Sequence, residues 1–412
     1  MALNYIWVSF FLIAFVVAVI KLVVFQDVTV FPLMLKSTFD MAKTGFEISI
    51  GLTGVMSLWL GLMKIGEKGG MVLIISRLMG PFFQRLFPEV PKDHPATGSI
   101  IMNFSANILG LDNAATPLGL KAMKELQDLN PIKDTASNAQ IMFLVLNTSG
   151  LTVIPLSIIA DRATLGSANP TSIFIPTLIA TFASTLFGLL YLSVKQKINL
   201  LDRVIFAYVI GLTAIISAGV WYFSTLSPED LNSQSMLFTS VIISTIIIMF
   251  FILGLRRGIP LFETFIEGAK DGFETSIKII PFLIAILVGI GFFRSSGALD
   301  YLVGGFAWFF RMLGVNTDFV PALPVAFLKP LSSQAARGMM LDLSKSTPGG
   351  VDSFVGNLAS IFRGCADTTF YILAVYFGSV NVRKTRYALT GGLVADLAGV
   401  IAAIFVGYLF FH

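Results

Sequence analysis

Four stretches set polar and charged side chains into otherwise apolar sequence: "NFSANILGLDNAATPLG" at 103–119, "LNTSGLT" at 146–152, "FLKPLSSQAARGM" at 327–339 and "FRGCADTTFY" at 362–371. In the first, Asn103 and Asn107 lie four residues apart and share one helical face. Gly110, Asp112, Asn113 and Pro117 then break the helix, and a second one starts near Ala114. Helix ends expose unpaired N–H and C=O groups, and Asp112-Asn113 caps a half-helix whose N-terminal dipole favours anions. In the second stretch, Asn147, Thr148, Ser149 and Gly150 precede Pro155, so local unwinding is expected. Freed carbonyls and hydroxyls there can coordinate a cation or hydrogen-bond a polar ligand. The third and fourth add Lys329, Ser332, Ser333, Gln334 and Arg337, then Arg363, Asp367, Thr368 and Thr369. With Thr116, these residues form a candidate set for binding a small polar solute.

Blander roles stand beside this one. Asn residues can glue membrane helices together, "LNTSGLT" can be a kink closed by hydroxyls on the backbone, and Lys329 and Arg363 can snorkel to the interface. Charges inside membrane segments are nonetheless functional by default. Setting Asp112 and Asp367 against Lys329, Arg337 and Arg363 leaves one positive charge in excess. That balance suits an anionic or strongly hydrogen-bonding solute better than a bare metal cation, which would want several carboxylates. Asp396 is a further intramembrane acid, either a proton-linked site or a partner of Arg386.

Enzymatic chemistry finds no support. There is no HExxH, GxSxG or GxxxxGK[ST] pattern, and Cys365 has no evident His partner. The two histidines, His94 and His412, are far apart and lack companions at ligand spacing, so no metal site and no cofactor are expected. A driving force would come from a coupling Na⁺ or H⁺ through Asp112, Asp367 or Asp396. The lone cysteine makes no internal disulfide.

The elements that must position these residues belong in a bilayer. Hydrophobic residues make up 55% of the 412, charged ones 13%, against roughly 25% charged in soluble domains. The net charge of +4 is that of basic cytoplasmic loops rather than of a nucleic-acid binder. Tyr5–Val24 lacks a basic leader and a small-residue cleavage end, and is expected to be a retained helix. Segments 51–63, 172–193, 204–223, 237–255, 278–293 and 388–411 are nearly uncharged and read as ordinary crossings, the first and fifth beginning some residues earlier to reach the roughly 20 residues a bilayer demands. Segments 97–127, 138–160, 319–343 and 355–378 are the interrupted ones.

The pattern occurs twice. "AKTGFEISI" at 42–50 returns as "AKDGFETSI" at 269–277. Each copy continues with a crossing, an aromatic-basic segment ("ISRLMGPFFQRLF" at 75–87; "VGGFAWFFRMLG" at 303–314) suited to the interface, a broken stretch, a polar-interrupted crossing, "GSAN" at 166–169 or "GSVN" at 378–381, and a clean helix. If each broken stretch is a re-entrant hairpin, a copy contains three crossings. The two helices between the copies then leave the second upside down relative to the first. Basic residues Lys195, Lys197, Arg203, Arg256 and Arg257 flank a turn, 224–235, that has none, and are assigned to the cytoplasm. Lys36 and Lys43 argue the other way.

At "NFSANILGLDNAATPLGLKAMKELQ" and "NTSGLTVIPLSIIADRATLGSANP" the first half resembles the spore maturation protein A family. At "PLSSQAARGMM" and "DTTFYILAVYFGSVNVRKTRYALTGGLVADLAG" the second resembles the spore maturation protein B family. Both carry the nucleoside recognition, or gate, domain, which is similar to domains of concentrative nucleoside and ferrous-iron transporters. The resemblance implies an inverted pair of hairpin and broken-helix units around a solute site; sporulation is not carried over with it.

The expectation is therefore an all-α polytopic membrane protein with two inverted gate-type repeats, each with a re-entrant helical hairpin and a broken transmembrane helix. Residues 1–35 form an N-terminal crossing, 36–198 the first repeat, 199–260 two linking helices and 261–412 the second repeat. The expected function is alternating-access transport of a small polar solute, anionic or nucleoside-like, in the bacterial inner (cytoplasmic) membrane. The rival is a scaffold in an envelope complex. Partners are the solute and the lipid bilayer, with no nucleic acid; self-association as a homo-oligomer is left open.

Overall fold

The computed structural model describes residues 2–91, 93–109, 112–152 and 155–412, without the side chains of residues 2, 3, 112–114, 228, 229 and 232. The first run folds as α1 (Ala2–Phe25), followed by the 40-residue α2 (Val30–Gly69). The crossing expected at 51–63 is the later part of α2, which begins well before "AKTGFEISI" because nothing in that phrase breaks a helix. Gly70, with φ of +89°, ends it in the left-handed conformation that suits glycine, and α3 (Met71–Leu86) starts at once. Segment 97–127 divides into α4 (Pro95–Ile108) and α5 (Asp112–Leu129). Segment 138–160 divides into α6 (Asn138–Ser149) and α7 (Leu156–Thr164). Then come α8 (Phe174–Gln196), α9 (Arg203–Ser224) and α10 (Pro228–Arg256).

The second half follows the same order: α11 (Leu261–Ser295), α12 (Ala298–Met312), the short α13 (Leu323–Leu328), α14 (Ser333–Ser346), α15 (Phe354–Gly364), α16 (Thr369–Ser379) and α17 (Ala388–Phe411). Among the described residues eight stretches are long and apolar enough to cross a bilayer: Asn4–Phe25, Val30–Gly69, Phe174–Gln196, Arg203–Ser224, Ser233–Arg256, Leu261–Ser295, Phe354–Ser379 and Ala388–Phe411. The protein is an all-helical, multi-pass membrane protein. Its linking helices α9 and α10 present Ile210, Ile215, Trp221, Val241 and Ile248 outward, surfaces that lipid solvates and water does not.

Corresponding elements of the two halves pack against each other. Helices α2 and α11 run antiparallel along much of their length: Gly45 faces Ile284 at one end, and at the other Lys64 pairs with Asp271 at 3.9 Å and Lys68 with Glu267 at 2.5 Å. A Cβ on Gly45 would stand 3.1 Å from the Ile284 Cα, and one on Gly272 2.7 Å from the Ser57 Cα. Gly45 and Gly272 are equivalent positions of the repeated phrase, and Ser57 and Ile284 are separated by the same offset. The phrase is thus written twice because each copy supplies the glycine through which one helix approaches the other. The polar residues Glu47 and Glu274 turn outward to Lys43 and Lys278, 3.8 and 2.6 Å away.

Helices α8 and α17 also pair antiparallel, with Gly188 against Ala395 and Ser184 against Gly399. The connecting loops clasp reciprocally. Asp134 O accepts from the Arg383 and Lys384 amides, both at 2.9 Å. In the other half Asp352 accepts from Arg162 Nη2 at 2.8 Å, Ser167 Oγ at 2.5 Å and Ala168 N at 2.8 Å. The "GSAN" motif is therefore a socket for an acid from the opposite copy. α3 and α12 each bury one stripe (Val72, Phe83 and Leu86; Leu299 and Ala307) and expose the other (Leu73, Ile74 and Leu78; Trp308 and Phe309).

Candidate binding cavity

The interruptions that sequence placed in 138–160 and 355–378 meet. α6 ends at Gly150, whose φ is +58°. The Asp367 amide, released from helical bonding between α15 and α16, donates to Thr148 O at 2.7 Å. A Cβ on Gly150 would lie 3.1 Å from that same nitrogen. Glycine alone supplies both the backbone conformation and the clearance. The Phe370 amide donates to Pro330 O at 3.0 Å, tying the start of α16 to the link between α13 and α14. On the other side Asn103 Nδ2 donates to Ala115 O at 2.8 Å, holding α4 against α5.

Around these contacts lies a cavity of about 800 Å³, within the size range of small-molecule sites. Its wall includes Asn107, Thr116, Asn147, Lys329, Ser332, Ser333, Gln334, Arg363, Asp367 and Thr368, ten of the expected binding residues, drawn from both halves. Helices α4, α6 and α15 bring C-terminal ends and α7, α14 and α16 bring N-terminal ends. Helix termini of both polarities therefore face one space. Asn107 Nδ2 donates to Asn147 Oδ1 at 2.8 Å, and Ser332 caps α14 by accepting from Ala335 N at 3.2 Å. Among the described residues Gln334 Oε1 and Thr368 Oγ1 are buried with no partner. Trp59, Tyr371 and Tyr376 supply flat apolar surface, and Lys64, Glu67 and Asp271 carry charge to the edge of the space.

Of the remaining expected residues, Asn103, Thr148, Ser149 and Thr369 turn elsewhere. Asn103 donates to Ala115 O, and its Oδ1 accepts from Asn107 Nδ2 at 3.4 Å. Thr148 and Ser149 turn their hydroxyls back on Val145 O and Leu146 O, both at 2.8 Å. Thr369 donates to Asp396 Oδ2 at 2.7 Å, behind the wall. Asp112 and Asn113 open α5, and their side chains lie outside the described residues.

Arg337 is not on the wall, and the acid that accounts for it escaped the sequence reading. Asp161, fully buried, accepts from Arg337 Nε at 3.1 and 3.0 Å and from Arg337 Nη2 at 2.5 Å. Its Oδ2 also accepts from Arg363 Nη1. Arg363 donates as well to Ser157 Oγ at 3.3 Å and reaches the cavity. Lys329 Nζ stands 3.8 Å from Asp367 Oδ1. The surplus positive charge expected from Lys329, Arg337 and Arg363 is thus offset by Asp161. The sequence signal is "ADR" at 160–162, whose acid lies one residue beyond the interrupted segment 138–160.

Arg162, also fully buried, bonds Val351 O, Ser360, Ser167, Ser172 and Asp352, and is the pin of the "GSAN" socket. The alternative partner for Asp396 is excluded: Arg386 donates to Ala136 O at 2.9 Å and stacks over the Tyr387 ring. It lies two residues before the start of α17, and Asp396 stands eight residues further along that helix.

A family model described as nucleoside recognition, the gate family, matches residues 49–165 and 276–383, together more than half of the chain, and covers the four interrupted stretches that contribute to the cavity. The chain belongs to this family. Spore maturation protein A of Bacillus subtilis (strain 168) is 45% identical over 181 residues, covering 44% of this chain and 89% of that protein. Spore maturation protein B of the same organism is 42% identical over 183 residues, covering 44% of this chain and 98% of that protein. The chain is consistent with a fusion of counterparts of the two. No solved structure matches it.

Proposed function

We propose that this gate-family protein carries a small polar solute across the bacterial cytoplasmic membrane by alternating access, and that its halves are inverted repeats whose α4–α5 and α13–α14 pairs are re-entrant hairpins. The single observation that carries the reading is the cavity of about 800 Å³ at which the ends of interrupted helices from both halves converge. Broken backbone at membrane depth is tolerable only where it is buried in protein or lines a wet space. The antiparallel pairing of α2 with α11 and of α8 with α17, each an element and its own counterpart, supports the inversion. The family description and the relatedness to two membrane proteins of a bacterium support the setting.

The wall favours a solute that is neutral or zwitterionic overall, with donors, acceptors and a flat face, as a nucleoside has. Lys329 and Asp367 stand near enough to neutralise each other, and Arg363 is engaged by Asp161. An anion would have to displace one of these carboxylates. Amides and carbonyls of the helix ends, with Gln334 and Thr368, offer both hydrogen-bonding senses, and Tyr371 and Trp59 offer stacking surface.

The test is uptake of radiolabelled nucleosides, amino acids and dicarboxylates into proteoliposomes, with Lys329→Gln and Asp367→Asn as variants. The reading expects saturable uptake of one class and at least a tenfold fall in both variants. Full-length variants that insert normally and leave all uptake at the protein-free level, like the wild type, would favour the scaffold instead.

A further inference from the structure

Behind the cavity wall lies a second polar cluster. Asp396, in the middle of α17, is 6% exposed; Thr369 serves one carboxylate oxygen, and Oδ1 has no partner among the described residues. Ser184 of α8, fully buried, likewise has an unpartnered Oγ. The glycines on either side of Asp396 along its helix face bring these groups together. A Cβ on Gly392 would stand 3.1 Å from Thr369 Oγ1 and 3.4 Å from Thr148 Oγ1, and one on Gly399 2.8 Å from Cys365 O and 3.2 Å from Ser184 Cβ. Cys365 follows the last residue of α15, so its carbonyl is released from the helical ladder by the break. Four oxygens, one carboxylate, two hydroxyls and a main-chain carbonyl, thus belong to groups packed along one face of α17 between Gly392 and Gly399.

A buried carboxylate oxygen with no donor is rare in native structures and calls for a ligand. Lys329 stands by Asp367, and Arg386 donates to Ala136 O. The donor set is all oxygen and carries a single formal negative charge, which matches a monovalent hard cation; a divalent one would want several carboxylates. We propose that Asp396, Ser184, Thr369 and the Cys365 carbonyl bind Na⁺. The ion would sit against residues 365–369, the same break that presents Asp367 and Thr368 to the cavity, so its occupancy stiffens that wall. The site stands whether or not the cavity carries a solute, and it is tested without one.

Thermal unfolding of the purified full-length protein in detergent is followed while NaCl replaces KCl or choline chloride at fixed ionic strength and pH. Binding to the folded state raises Tm in a saturable way. The expected result is a Na⁺-specific rise in the wild type, absent in Asp396→Asn and shifted at least tenfold to higher Na⁺ in Ser184→Ala. Should Asp396→Asn not fold, Ser184→Ala and Thr369→Val carry the comparison. Equal Tm in all three salts, an undiminished response in the variants, or a response to pH with none to Na⁺, which would assign the oxygen to a proton, each overturns the proposal.

Discussion

Replacing Asp161 by Asn removes an acid shared by two guanidinium groups. Arg337 is 5% exposed and gives three contacts to Asp161, whereas Arg363 also has Ser157 and the open cavity. The two cations should therefore fare differently. Arg363 can rehydrate in the cavity; Arg337 is stranded. Breaking a buried ion pair by deleting one partner costs about 3–5 kcal/mol, because an uncompensated charge is left behind. Most of that loss should come from Arg337, so a second substitution that discharges it must restore stability. Asp161→Asn is expected to lose about 4 kcal/mol, and Asp161→Leu with Arg337→Met to recover at least about 2 kcal/mol of it. Reversible unfolding by SDS in mixed micelles measures both. If Asp161→Asn stays within about 1 kcal/mol of wild type, or if discharging Arg337 recovers nothing, the triad is not the buried electrostatic unit that its geometry implies.

Gly272→Val should force α11 away from Met56 O, which a Cβ would meet at 2.6 Å, and overpacking of this kind costs about 1–3 kcal/mol; the same SDS titration reads it, and an unchanged midpoint would dismiss the close approach. In the loop clasp outside the membrane, the Thr135 hydroxyl, with Lys384, holds the Asp134 carboxyl below its ordinary value of 3.8. A depressed carboxylate stabilises above its unfolded value and ceases to do so as pH falls through the folded one. Asp134→Asn should thus lower Tm slightly at pH 5 to 8, and the gap should narrow progressively as pH falls below about 3.8; a gap that does not shrink with falling pH would assign the effect to shape rather than charge.

Much of the architecture could be read from the chain, because the bilayer allows so few solutions. Apolar runs of spanning length must become helices, and Gly150 with Pro155, or Pro330 with Ser332, must interrupt them. The duplicated phrase announced two copies of one plan. Segment ends were less legible: α2 and α11 extend far past the apolar windows because their polar turns face each other and solvent, and a hydropathy reading has no view of a partner helix.

Which polar residues face the cavity was decided only in three dimensions. Asn107 and Asn147 point into it while Asn103, with the same residue type and helical face, donates to Ala115 O. Arg337 and Arg363 look alike in sequence, yet Asp161, some 180 to 200 residues away along the chain, retires one and leaves the other at the wall. Sequence fixes the cost of an intramembrane charge, since that depends on the side chain and the solvent alone. Who meets that cost depends on which helices become neighbours, and the glycines of α2, α8, α11 and α17 settle that by how closely they let the backbones approach.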